Sequence, residues 1–210
     1  MDIKSFGCSF IFGSELADQF ESTPSRSTWP ALLANHLNVG YQSYARPGIG
    51  NLQIAEQILN HLSPALYIIG WTWIDRFDYA DSESAQWHTI LPVDTDPIAH
   101  HYYRDLHSQY RDKLTTLMNI KLVIDTLKQK DYPFIMTYMD NLIFETEWHC
   151  TPAISELQNY IQPYLTTFNG QTFLDWSREN GFPETASWHP LEPAHQAAVD
   201  YILELGIHKV

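Results

Sequence analysis

Residues 65–70, ALYIIG, decide how this chain is read. The run follows Pro64, is apolar without alternation and ends on a glycine. A strand with one face in water alternates apolar and polar side chains, whereas a strand covered on both faces does not. The run is therefore read as a parallel strand buried between two layers of helices.

Working outward, the neighbouring segments supply those layers. Leu52, Ala55, Leu59 and Leu62 recur at helical spacing and stop before Pro64. Before them lie a strand over Tyr41–Ala45 and a helix carrying Trp29, Leu32, Leu33 and Leu37, with Ser27 or Thr28 as its cap and Pro30 in its first turn. Ile3–Phe6 opens the chain as a strand. Residues 71 to about 101 show no clear period and are rich in Trp, Tyr, His and Asp, with Pro92 and Pro97. They read as a long binding loop or insertion. Leu106, Tyr110, Leu114, Leu117, Ile124 and Leu127 share one helical stripe. PFIMTY, 133–138, is a fourth strand. Ile154, Leu157, Ile161 and Leu165 mark a helix, TFLDW, 172–176, a fifth strand, and Ala194, Ala198, Tyr201, Ile202 and Leu205 a closing helix. Strands alternating with helices predict an α/β fold with a five-stranded parallel sheet and right-handed crossovers. The absence of an internal repeat or second core predicts one domain over 1–210.

Bulk properties narrow the function. Of 210 residues, 44% are hydrophobic and 18% charged, the balance of a globular chain. Twelve basic residues against twenty-five acidic ones give a net charge of −13. That charge argues against nucleic acid or an anionic membrane as partner, since both require basic surface. Cys8 and Cys150 have neither zinc spacing nor the pattern of a disulfide framework, and read as reduced thiols. The opening MDIKSF reads as a strand and not as a signal peptide, and no apolar run approaches the ~20 residues of a membrane span. A cytoplasmic protein is expected.

In parallel α/β folds, chemistry sits beyond the carboxyl ends of the strands. Those ends carry Gly7, Cys8 and Ser9; ARPGIGN, with Gly48, Gly50 and Asn51; GWTWIDRFDY; Asp140 and Asn141; and, beyond Asp175, SWHPLEPAH with His189 and His195. A hydroxyl, glycine amides and an imidazole on one rim suit acyl transfer. Serine needs a base to take its proton, and histidine titrates near neutrality. Backbone N–H groups beside glycine can approach a developing oxyanion closely.

These blocks resemble the SGNH (GDSL-type) hydrolase superfamily, in a variant form that recurs in phage genomes. GCSFIFG resembles the first block and puts Ser9 at the nucleophile position. SYARPGIGN resembles the second and puts Gly48 at the oxyanion glycine. GWT, 70–72, stands where Gly-x-Asn is expected. WHP, 188–190, resembles the fifth block, with His189 as catalytic base. The resemblance spans about 5–195 and implies a flavodoxin-like three-layer α/β/α sandwich. It implies a serine esterase or deacylase acting without a cofactor on a small acyl ester, with a carbohydrate as the leading alcohol by analogy.

Three positions depart from the family pattern. Cys8 replaces the aspartate of the first block. Thr72 replaces the oxyanion asparagine, with Asn51 a candidate substitute. Ala186 occupies the place of the aspartate three residues before the histidine. Asp175, Glu184 or a backbone carbonyl is left to orient His189, so the chain reads as a Ser–His dyad or incomplete triad. The same departures support an alternative: an inactive or weakly active binding or assembly module on this scaffold.

The remaining signals have structural alternatives. His195 begins a helix and suits a structural hydrogen bond. Gly48 and Gly50 also suit a plain turn. Arg76, flanked by Asp75 and Asp78, reads first as part of a loop-fixing ion pair and second as a selector of anionic substrate. Trp71, Trp73 and Arg76 are assigned to the substrate pocket, where aromatic faces suit a sugar ring or an acyl chain. The groups His100, His101, His107 and Glu145, Glu147, His149 match no zinc spacing, so no metal is expected.

Overall fold

The first strand carries the site to the rim of the sheet and two glycines let it settle there. In the computed structural model, which describes residues 1–206, β1 (Ile3–Gly7) runs parallel to β3 (Leu66–Trp71), with Gly7 opposite Gly70. A Cβ on either glycine would lie 2.6 Å from Ile11 Cγ1. Their bare backbones let α1 (Ser9–Phe12), a single turn, lie directly on the ends of two strands. Gly13, at φ 79, ends that turn in the left-handed region.

The main sheet is parallel, in the order β2–β1–β3–β6, where β2 is Tyr41–Ser43 and β6 is Phe134–Tyr138. Strand side chains alternate between two cores. Ile3 and Ile68 join one with Trp29, Leu33, Ala198 and Ile202. Phe6, Tyr67, Ile69 and Trp71 join the other with Ile54, Ile58, Ile120 and Ile124. The first core lies under α2 (Trp29–Leu37), α7 (Phe173–Glu179) and α8 (Glu192–Leu205). The second lies under α3 (Asn51–Asn60), α5 (Gln109–Gln129) and α6 (Pro152–Ile161). This is the three-layer α/β/α arrangement that the unalternating run at 65–70 implies.

Three expectations need correction. Residues 172–176 form the start of helix α7, not a strand. Thr172 Oγ1 accepts from the Asp175 N–H at 3.1 Å and donates to Asp175 Oδ2 at 2.9 Å, a local cap that outweighs the β-preference of Thr and Phe. All that remains of a fifth strand is a parallel bridge, where the Thr166 N–H bonds Met136 O at 2.7 Å. Leu106 lies outside the long helix, in a π-helical turn over Tyr102–Leu106, because Ser108 caps α5 by accepting from the Arg111 N–H.

The segment after residue 71 is also more ordered than its aperiodic sequence implies. It holds an antiparallel hairpin of β4 (Phe77–Ala80) and β5 (Trp87–Ile90), then α4 (Pro97–His101). Ile90, Ala99 and Tyr102 form a small third core with Phe77, Tyr79 and Tyr103. Buried Asp78 ties the hairpin to the start of α3. It accepts from the Gly50 N–H (2.9 Å), the Gln53 N–H and Nε2 (both 3.0 Å) and Thr89 Oγ1 (2.6 Å). A Cβ at Gly50 would lie 2.6 Å from that carboxylate. Among the described residues, no helix is long and apolar enough to cross a membrane.

Candidate active site

Ser9 is the first residue of α1 and is 7% exposed. It shares the wall of a ≈570 Å³ cavity with Gly48, Trp73, Asp75, Arg76 and His189. Segments far apart in sequence thus meet at one rim: the β1 end, the loop before α3, the β3 end and the turn before α8. The Phe10 and His189 rings pack edge to face with centroids 5.1 Å apart, which fixes the imidazole beside α1. Among the described residues no hydrogen bond joins Ser9 Oγ to His189, and neither the Ser9 nor the Gly48 N–H donates to a protein acceptor. Gly48 has φ 81 and open space where a Cβ would stand, so glycine is needed there for backbone conformation and not for room.

The carboxylate behind His189 is Glu15. His189 Nδ1 lies 2.5 Å from Glu15 Oε2, which also accepts from Thr185 Oγ1 at 2.8 Å, while Glu15 Oε1 accepts from Ser187 Oγ at 3.3 Å. The hydrogen bonds from His189 and Thr185 hold the Glu15 carboxyl below the usual glutamate range, so it is ionised at neutral pH. An ionised carboxylate only accepts, so in the neutral ring it is His189 Nδ1 that carries the proton and Nε2 that keeps the lone pair. The turn that presents the ring is closed locally. The Thr185 N–H donates to His189 O at 2.9 Å, and the His189 N–H donates to Thr185 Oγ1 at 3.2 Å. Glu15 (φ 68) and Trp188 (φ 67) both sit in the left-handed region, uncommon for residues with bulky side chains and a sign of local strain next to a site.

The other candidate residues separate into those on the cavity and those behind it. Trp73 and Arg76 line it, with the guanidinium 5.0 Å above the Trp73 ring. Trp71 does not: it is fully buried in the core under α3 and α5. Asn51 and Thr72 are also off the wall. Asn51 Oδ1 accepts from the Thr72 N–H at 2.8 Å, and Nδ2 donates to Thr72 O, Trp73 O and Thr116 Oγ1, leaving its amide committed to holding the β3 end. Asp175 is occupied by Asn141 and by its own cap, and Glu184 pairs with Arg178 at 2.9 Å, so neither stands behind His189. The expected ion pair of Arg76 is absent among the described residues. Asp78 is saturated by α3 and Thr89, and Arg76 Nη1 donates instead to Ile49 O at 3.1 Å. Within the described residues, no group of three or more His, Cys, Asp or Glu side chains is arranged to hold a metal.

His195 is a core residue. It is 2% exposed, and its Nδ1 accepts from the Trp29 N–H at 3.1 Å. Burial pushes its pKa down from 6.5 to about 3. The unfolded chain therefore binds this proton more readily between pH 6.5 and about 3, and stability falls as pH drops through that window. A shift of this size corresponds to a loss on the order of 4 kcal/mol at the acid end. Urea unfolding measured across the window should show a clearly shallower pH slope in His195→Gln than in the wild type.

No family model matches the sequence, and no curated protein matches it significantly. Solved structures do. A psychrotrophic esterase from Pseudoalteromonas sp. superposes with a TM-score of 0.55 at 11% identity, over 97% of this chain and 94% of that one. An acetylxylan esterase from Geobacillus stearothermophilus gives 0.54 at 10% identity, over 97% and 92%. A protein described as lipolytic and of the G-D-S-L family, from Desulfitobacterium hafniense, gives 0.53 at 11% identity, over 95% and 96%. The chain has the SGNH (GDSL-type) hydrolase fold.

Proposed function

We propose that the protein is a serine ester hydrolase in which Ser9, His189 and Glu15 act as nucleophile, base and orienting acid. One observation carries this reading. The only side chain hydrogen-bonded to the imidazole on the Ser9 cavity, among the described residues, is a carboxylate, and it comes from the segment that follows the serine. His189 Nε2 takes the proton as Ser9 Oγ attacks the ester carbonyl. The N–H groups of Ser9 and Gly48 receive the oxyanion. Collapse of the tetrahedral intermediate expels the alcohol, which takes its proton from the imidazolium. Water then repeats the sequence on the acyl-enzyme and releases a carboxylate.

A small acyl group on a carbohydrate suits the cavity. Trp73 and Trp188 offer flat apolar faces, while Asp75 and Arg76 offer an acceptor and a donor to hydroxyl groups. The acetylxylan esterase among the similar folds is in keeping with that choice. The test is covalent: a fluorophosphonate should label one residue, and peptide mapping should identify it as Ser9. Absence of labelling, with retained glycan binding, would favour the non-catalytic binding module.

A further inference from the structure

Arg76 stands on the wall of two cavities. The second is a cleft of ≈150 Å³ between α3 and α5, lined also by Asn51, Asp78, Arg111, Asp112 and Asn119. Its donors and acceptors are unequally used. Asp78 already accepts four hydrogen bonds from α3 and Thr89. Asp112 Oδ1 accepts from Arg111 Nη1 at 3.3 Å and from Tyr102 Oη at 3.4 Å, while Oδ2 lies 2.8 Å from His107 Nε2 without a hydrogen bond. The two guanidinium groups keep donors to spare. Arg76 commits only Nη1, to Ile49 O, and Arg111 commits only Nη1, to Tyr102 Oη and Asp112. The Asn119 side chain makes no hydrogen bond among the described residues. The guanidinium donors that remain free on this wall complement an oxyanion, and two guanidinium forks match the two oxygens of a carboxylate. A cavity of this order holds a ligand about the size of benzene, enough for a short-chain acid.

We propose that this cleft binds a short-chain carboxylate between Arg76 and Arg111. The two acidic side chains nearly balance the two cations, which keeps the electrostatic attraction weak. Such a ligand is what ester hydrolysis releases. Because Arg76 also lines the Ser9 cavity, an occupied cleft draws the guanidinium away from Trp73 and couples product level to substrate binding. That coupling rests on the esterase reading, whereas the binding does not.

The test uses the Ser9→Ala protein, in which no turnover complicates binding. Acetate and butyrate are titrated as sodium salts against ¹⁵N-labelled protein, with sodium chloride at matched ionic strength as control. Saturable shifts are expected at the amides of residues 115–119 and at Arg76 Nε. Arg111→Gln should weaken binding by about tenfold or more. Asn119→Leu, which fills the cleft without touching the Arg111–Asp112 pair, should do the same while leaving the melting temperature unchanged. Shifts that never saturate, that chloride reproduces, or that centre on residues 9, 48 and 189 and survive Asn119→Leu would overturn the proposal. Failure of Ser9 labelling in the wild type would remove only the link to turnover.

Discussion

Ser9→Ala is expected to lower kcat for p-nitrophenyl acetate on the order of 10⁶-fold, the scale on which removal of a serine nucleophile acts elsewhere. The fold should survive. Ser9 Oγ has no hydrogen bond among the described residues, so its removal leaves no partner stranded, and alanine suits the first position of a helical turn. Thermal unfolding and the far-ultraviolet spectrum should therefore match the wild type while the burst of nitrophenol disappears. The residual rate should be that of the amides of residues 9 and 48 acting on bound ester, well above water but without an acyl-enzyme. The variant also separates the two thiols from the hydroxyl. Cys8 is buried behind the turn and Cys150 is exposed and absent from the cavity wall, so neither should sustain turnover. A variant that keeps the wild-type rate would dismiss the serine mechanism.

The sheet is most legible in sequence where a strand buried on both faces is a nearly unbroken apolar run. Residues 65–70 and 134–138 are of this kind. TFLDW misleads for the opposite reason. Five residues are too few for period to separate strand from helix, and the deciding signal is the Thr172–Asp175 cap, a pattern of two residues three apart. The hairpin at 77–90 is illegible because its register is fixed from outside. Asp78 is held by the start of α3, and the aromatics pack on one another and not on the main core.

The site is legible to the same extent. Ser9 and Gly48 follow the ends of β1 and β2, which the fold itself places, and His189 lies in the connection between α7 and α8. Thr72 and Asn51 as oxyanion donors, and Asp175 and Glu184 as orienting acids, do not meet the geometry because these assignments turn on which way a side chain faces. Asn51 points under the β3 end, where three backbone groups consume it. Trp71 follows the β-strand alternation into the core. Glu15 has no periodic signal at all. What foreshadows it is negative: with alanine at 186, a histidine on this rim needs a carboxylate from another segment, and Glu15 is the first one in the chain after Ser9. The left-handed glycine at 13 turns the chain so that this carboxylate comes back beneath the imidazole.

Glu15→Gln therefore isolates the least foreseeable part of the site. The amide matches the carboxylate in size but carries no charge, and its NH₂ group can face His189 Nδ1. Donor then meets donor unless the ring gives up the Nδ1 proton, and the tautomer with Nε2 protonated cannot accept from Ser9. In a triad whose acid is buried, the corresponding change costs ~10⁴-fold. Glu15 is 43% exposed, and water weakens the field it exerts on the imidazolium. The expected fall in kcat is thus smaller, about 10²- to 10⁴-fold, with KM nearly unchanged because the ester does not touch Glu15. Thr185→Val, which removes one hydrogen bond from the carboxylate and the one that fixes the His189 N–H, should produce a lesser loss of the same kind. Glu184→Gln cuts only the pair with Arg178 and should leave kcat alone. Steady-state kinetics on the three variants, with fluorophosphonate labelling rates as a readout of serine activation, distinguish an orienting acid from a surface contact. If Glu15→Gln labels and turns over like the wild type, the imidazole is oriented by something else, and the triad reduces to the serine and histidine alone.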